Sequence, residues 1–232
     1  FMIAYLLHRR FTFRDYKRVG VAIYANGVED LKGIYKRIGQ YPDFIHVDIV
    51  DRSFAPDAEE TKAYRMETIR AFWPNREIHT HIMSKTPSRW LPEVLPYSDI
   101  VFVHWECDES LDNLIMSIRS ESVRAGVALT METTPEQVAD TLKNIDSVLL
   151  LTIPNPGNSG QKFDINGLER IEQLTKMPFR ERIRICVDGG VNEKIASLLK
   201  VEDVVSGSSV LNHTDPRHQI LRLQTAGRYE FG

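Results

Sequence analysis

Residues 44–51 read FIHVDIVD, an apolar run that carries one histidine and two aspartates. In an extended chain successive side chains alternate faces, so His46 and Asp48 share one side while Ile45, Val47 and Ile49 share the other. Burying a neutral polar group without a partner costs about 2–7 kcal/mol and a carboxylate costs more, so this pair must be hydrogen-bonded, solvated or bound to a cation. Similar residues recur at the ends of other apolar runs: His79 or His81 in EIHTHIM, His104 in DIVFVHW and Asp188 in CVDGGV. Two imidazole nitrogens and two carboxylate oxygens gathered at one level would hold one divalent metal ion per subunit, of the Zn, Fe, Mn or Co kind, with nitrogen donors at about 2.0–2.1 Å.

Three short segments supply a second kind of chemistry. NPGNSGQKF, DGG and GSS each follow an apolar run and carry glycines, which let backbone N–H groups approach an anion closely. A cation site beside a phosphate grip points to a sugar phosphate as the ligand.

These residues need a scaffold that brings strand ends together. From Val19 onward eight β-rich runs (VGVAIYA, DFIHVDI, EIHTHIM, DIVFVHW, RAGVALT, SVLLLTI, RIRICV, EDVVSG) alternate with segments of helical length or spacing. The latter are VEDLKGIYKRI, AEETKAYRMETIRAFW, TPSRWLPEVL, SLDNLIMSI, TPEQVADTLKNI, NGLERIEQLT, NEKIASLL and DPRHQILRL. Strands apolar on both faces suit a parallel sheet covered by helices, and eight repeats close as an α/β TIM (β/α)₈ barrel, with chemistry at the C-terminal strand ends. In that fold the loops after strands seven and eight form the recurrent phosphate site.

The 232 residues fit one barrel domain over 19–232, preceded by a short extension or junction over 1–18. A net charge of −3 without long single-sign blocks argues against nucleic acid or anionic lipid as partner, and no run reaches the 18 or so apolar residues of a membrane span. In FMIAYLLHRRFTFRDYKR the charges follow the apolar residues, the wrong order for a leader. Two cysteines, Cys107 and Cys186, make no disulfide framework, which favours a reducing, cytoplasmic setting. Barrels of this size commonly associate, so a homo-oligomer is the expectation for assembly.

From about Val19 to about Pro216 the chain resembles the ribulose-phosphate 3-epimerase family. HVDIVDRSFAPD is similar to the family's His-x-Asp-x-Met-Asp-Gly-x-Phe-x-Pro-Asn block, and HIM at 81–83 to its His-Leu-Met. NPGNSGQKF is similar to Asn-Pro-Gly-Phe-Gly-Gly-Gln, and VDGGV followed by SGSSVL to Val-Asp-Gly-Gly-Val and Gly-Ser-Ala. The resemblance implies metal ligands His46, Asp48, His81 and Asp188, which selects His81 over His79, with Asp48 and Asp188 doubling as acid and base. It implies substrate contacts at Met83, Gly157, Gly160, Gly189, Gly190, Gly207 and Ser208. The activity implied is 3-epimerisation of a ketose phosphate: ribulose 5-phosphate and xylulose 5-phosphate, or a related hexulose phosphate, through an enediolate.

Departures from the family cluster where the sugar would lie. Ala22 stands for the first-strand serine, with Tyr24 two residues on; Val50 and Thr152 replace two methionines; Arg52 and Ser53 replace Gly and His. Retained ligands beside altered sugar contacts are what changed specificity would look like. A phosphosugar lyase or decarboxylase on a related barrel is the alternative enzyme, with Lys85 as its candidate lysine, and a noncatalytic sugar-phosphate-binding module the alternative from another class. His79 reads as structural, Asp51 as a loop hydrogen-bonder, Cys186 as core, and Trp73, Trp90 and Trp105 as helix–barrel filler. His104 reads equally as a barrel residue or as a partner of a ligand.

Overall fold

The computed structural model describes residues 17–23, 28–58 and 65–227. Eight parallel strands close into a barrel in chain order: β1 (Arg18–Ile23), β2 (Phe44–Val50), β3 (Glu77–Met83), β4 (Ile100–His104), β5 (Arg124–Leu129), β6 (Ser147–Leu151), β7 (Arg184–Asp188) and β8 (Asp203–Ser206). Strand β8 pairs back onto β1 through Val19↔Val204 and Val21↔Ser206. Helices α1 (Val28–Ile38), α2 (Met66–Phe72), α3 (Leu91–Val94), α4 (Leu111–Ser120), α5 (Ala139–Leu142), α6 (Gly167–Thr175), α7 (Glu193–Leu198), α8 (Ser208–Leu211) and α9 (Pro216–Thr225) are interleaved with the strands or follow them. None of the described helices is long and apolar enough to cross a membrane.

Two expected helices are broken up. Over 86–95 and 134–145 only 3₁₀ turns and the four-residue helices α3 and α5 form. Pro87, Pro92, Pro96 and Pro135 lack the N–H that a continuous helix would need, and each is accommodated instead at the start of a short new turn. Of the helix expected over 58–73, residues 66–72 are helical and 59–64 lie outside the described residues, as do Tyr24 and residues 1–16 of the expected extension.

Alternation along the strands builds two cores. Outward residues such as Ile45, Ile49, Ile78, Ile82 and Val103 join the helices, with Trp73 and Trp90 buried among them and Trp105 packed against their edge. Inward residues Phe44, Ile100, Phe102, Ala128, Leu149, Cys186 and Val205 fill the barrel. Aromatic rings fit inside because a glycine sits opposite each: Gly20 pairs with Phe44, and Gly126 with Phe102. A methyl group on Gly126 would lie 2.3 Å from the Phe102 ring, and on Gly20 2.0 Å from Phe44.

The N-terminal end is held by a repeated acidic clamp. Asp43, Asp99, Asp146 and Glu202, each at or just before the start of an even-numbered strand, accept the N–H of Val19, Ile78, Ala125 and Ile185 near the start of the preceding odd-numbered strand, at 2.7–2.9 Å. Just inside, Arg18, Glu77, Arg124, Arg184 and Asp203 form a continuous ion network across the barrel. His79 belongs to this floor: it stacks on Phe44 with ring centroids 3.9 Å apart and meets Glu77 at 3.3 Å.

The ring-over-glycine packing predicts that Gly126→Ala destabilises the protein by about 1–3 kcal/mol through overpacking. Adding Phe102→Leu should recover part of that loss, so urea unfolding of the two single variants and the double variant should be clearly non-additive.

Candidate metal centre

Strands β2, β3 and β7 carry polar residues at or near their C-terminal ends that face the barrel mouth. The β2–β3 register sets Asp48 beside His81, and Asp188 closes β7. His46, Asp48 and His81 are buried, while the Asp188 side chain retains 14% exposure toward the opening. Four potential donor atoms, one from each of these residues, lie within 4.8 Å of one another.

The separations test whether an ion fits. His46 Nε2 lies 3.3 Å from Asp48 Oδ1 and 3.6 Å from Asp188 Oδ2; His81 Nδ1 lies 3.1 and 3.7 Å from the same two oxygens. A tetrahedral ion with bonds of about 2.0–2.1 Å keeps its ligand atoms about 3.3 Å apart. The four histidine–aspartate separations bracket that value. Moreover, both ring nitrogens of His46 are buried and neither makes a well-aligned hydrogen bond among the described residues; Nε2 instead faces the two carboxylate oxygens, a position that a cation between them would fill. The donor set fits a divalent metal.

Electrostatics agree. Burial works against ionisation of Asp48, yet His46 and His81 outweigh it and hold the carboxyl well below the usual range. Burial equally disfavours a charged His81, but hydrogen bonds and charges from Asp188 and Asp48 prevail and push it up to about 9. A proton on His81 thus serves as cation for the carboxylate pair when no metal is bound.

The cluster opens into a cleft at the barrel mouth. Its walls include Asp48, Asp188, Met83, Gly157, Gly160, Gly189, Gly190, Gly207 and Ser208, so these expected residues converge on one space. Positive φ at Gly157, Gly160, Gly189 and Gly190 gives the loops their shape, and a side chain at Gly190 would collide with the Phe163 backbone at 2.2 Å. Ala22 lines the cleft, whereas Thr152 is turned away, donating to the carbonyls of Asp188 and Gly189 and bracing the β7 turn. Val50 packs beneath Gly157.

Other polar candidates have different duties. Asp51 clamps loops by accepting from Ser53 N–H, Ser84 Oγ and Trp90 Nε1. Lys85 donates to the Glu106 carbonyl at 2.6 Å and is not among the residues lining the cleft. Cys186 is buried inside the barrel. His104 contacts His81 at 2.8 Å. Residues that the sequence did not single out are Asn158, Ser159 and Gln161 in the cleft wall and Glu106 behind His104. Glu106 is legible as the second member of a His-x-Glu alternation; the loop residues lie within NPGNSGQKF, whose glycines mark the loop as an anion grip without showing which of its side chains face the cleft.

A closed parallel barrel with a two-histidine, two-aspartate cluster at its C-terminal mouth defines a (β/α)₈ protein with a candidate metal centre. Residues 19–211 match the Ribulose-phosphate 3 epimerase family, and the chain belongs to that family of carbohydrate epimerases. Ribulose-phosphate 3-epimerase of Bacillus subtilis is 31% identical over 189 residues, covering 78% of this chain and 86% of the relative. The chloroplastic enzyme of Arabidopsis thaliana is 29% identical over 196 residues, covering 80% and 68% respectively. Among solved structures, 3-hexulose-6-phosphate synthase from Salmonella typhimurium shares the fold with a TM-score of 0.69 at 16% identity, covering 89% of this chain and 96% of that one. KGPDC from Streptococcus mutans does so with a TM-score of 0.67 at 14% identity, covering 94% and 100%.

Protonation of His81 carries a sign that can be measured. In metal-stripped protein the raised pKa contributes stability that is fully present below the ordinary value of about 6.5 and is lost as pH rises through about 9. ¹⁵N-histidine NMR should therefore find His81 doubly protonated at pH 7, and Asp188→Asn should lower its midpoint.

Proposed function

We propose that this protein is a divalent-metal-dependent 3-epimerase of a ketose phosphate, interconverting ribulose 5-phosphate and xylulose 5-phosphate or the corresponding pair of a related hexulose phosphate. The observation that carries the reading is the cluster of His46, Asp48, His81 and Asp188, whose histidine–aspartate separations are 3.1–3.7 Å and which opens into a glycine-lined cleft in a chain of this family. Those four residues would hold the ion, of the Zn, Fe, Mn or Co kind. When bound, the cation supplies Lewis-acid stabilisation for negative charge on the ketose oxygens.

The rest of the reaction falls to side chains. The proton at C3 lies next to the C2 ketone. One aspartate takes that proton, leaving its electron pair in an enediolate, and the other aspartate returns a proton to C3 from the opposite face. Inversion requires two groups flanking the substrate; Asp48 on β2 and Asp188 on β7 are separated around the ring by β1 and β8. Asp48 is held ionised by His46 and His81, the form that a base requires. Met83, Leu151 and Val205 give the cleft an apolar wall that excludes water. Gly157, Gly160, Gly189, Gly190, Gly207 and Ser208 would hold the phosphate through backbone N–H groups and the Ser208 hydroxyl. Ala22 lines the cleft where the resemblance places a serine, and offers no hydroxyl to the sugar there. A lyase chemistry that needs a lysine finds none among the residues lining this cleft.

The test is exchange of the C3 proton of ribulose 5-phosphate in D₂O, followed by NMR. Metal-loaded protein should exchange and epimerise, chelation should stop both, and Asp48→Asn or Asp188→Asn should each slow epimerisation by about 10²–10⁴-fold. Exchange into a hexulose phosphate alone would identify the longer sugar, whereas turnover indifferent to both substitutions would overturn the two-aspartate reading.

A further inference from the structure

The two histidines of the cluster are supported in opposite ways. His46 leaves Nδ1 without a hydrogen-bond partner among the described residues and only faces the carboxylates with Nε2, whereas both nitrogens of His81 are engaged. His81 Nδ1 faces Asp48, and Nε2 meets His104 Nε2 at 2.8 Å. Two imidazoles joined nitrogen to nitrogen share a single proton in that link, so one ring donates and the other accepts. The direction decides what His81 presents to the cluster.

Glu106 sets the direction. Its Oε2 lies 3.0 Å from His104 Nδ1, while Oε1 accepts from Thr130 N–H at 2.9 Å, Thr130 Oγ at 2.8 Å and Thr133 Oγ at 2.5 Å. A carboxylate so supplied with donors turns lone pairs toward His104, so His104 Nδ1 must carry hydrogen. His104 is fully buried, which disfavours a second positive charge beside a bound metal ion. Its Nε2 is therefore bare and accepts from His81 Nε2–H. The reverse direction would place a lone pair of His104 against Glu106 and a proton on His81 Nδ1, closing that nitrogen to a metal.

We propose that Glu106 and His104 are positioning residues: together they fix His81 as the Nε2–H tautomer and present its bare Nδ1 to the cation. This rests on the metal-centre reading above and extends it to residues that touch neither ion nor substrate. The relay also ties together the ends of β3, β4 and β5, because Glu106 follows β4 and its threonine partners follow β5. Phe54, its ring centroid 4.3 Å from that of His104, covers the link.

The test compares Zn²⁺ affinity of metal-stripped wild-type, Glu106→Gln, His104→Phe and His104→Gln by chelator competition. Glu106→Gln and His104→Phe should weaken binding by about 10–100-fold. His104→Gln, whose amide oxygen can accept from His81 Nε2–H, should retain most of the affinity. As a readout independent of any variant's folding, ¹⁵N-histidine NMR of Zn²⁺-loaded wild-type should show His104 protonated at Nδ1 and His81 at Nε2. Metal uptake unchanged in both disruptive variants, or His104 protonated at Nε2 alone, would overturn the relay while leaving the metal centre standing. A wild-type protein that takes up no Zn²⁺, Mn²⁺ or Co²⁺ would overturn both.

Discussion

Two carboxylates confined at the mouth of a closed barrel are the constraint around which the rest of the site is arranged. Asp48 and Asp188 bring potential ligand atoms within 4.8 Å of each other, and like charges about 4 Å apart repel by about 4 kcal/mol at an effective dielectric of about 20. Removing Asp48 from water adds to that cost. Only a cation between them makes the arrangement inexpensive. His46 and His81 complete a four-atom shell whose spacings suit a small divalent ion, and a proton on His81 is the fallback when that ion is stripped away.

Holding four side chains at that spacing requires strands that cannot slide. A shift of one residue would turn His46 and Asp48 toward the helices and bring Ile45 and Val47 inside. The acidic clamp opposes such slippage with side-chain bonds from Asp43, Asp99, Asp146 and Glu202, and with the ion network led by Arg18, Glu77 and Asp203 just within. The Gly20–Phe44 and Gly126–Phe102 pairs then fill the interior between floor and mouth. Stability thus concentrates at the N-terminal end of the barrel and chemistry at the other, the division of labour usual for this fold.

How much of this can be read from the chain depends on whether the signal is local. The strand runs are short, apolar and bounded, so all eight stand out, and period-two alternation places His46 with Asp48 without further help. The choice between His79 and His81 is not local: both face inward, and only the depth of the barrel separates the floor, where His79 stacks on Phe44, from the mouth, where His81 meets Asp48. Over 86–95 and 134–145 the apolar spacing of a helix survives while prolines at turn starts break the hydrogen-bond ladder, so periodicity there overstates continuity. Thr152, expected from its place in the family pattern to bear on the sugar, instead spends its hydroxyl on the Asp188 and Gly189 carbonyls, which no pattern in the chain announces. Asn158, Ser159 and Gln161 reach the cleft only through the course of their loop.

The divalent ion proposed to sit among His46, His81, Asp48 and Asp188 is the element on which the proposed mechanism and the histidine relay both stand. Anomalous diffraction from crystals grown with Zn²⁺ and without chelator, recorded on both sides of the zinc edge, can locate it. One strong peak per chain is expected, at about 2.0–2.2 Å from all four residues. A map with no peak among these side chains, or with the metal elsewhere and His81 still paired to Asp48, would contradict that placement.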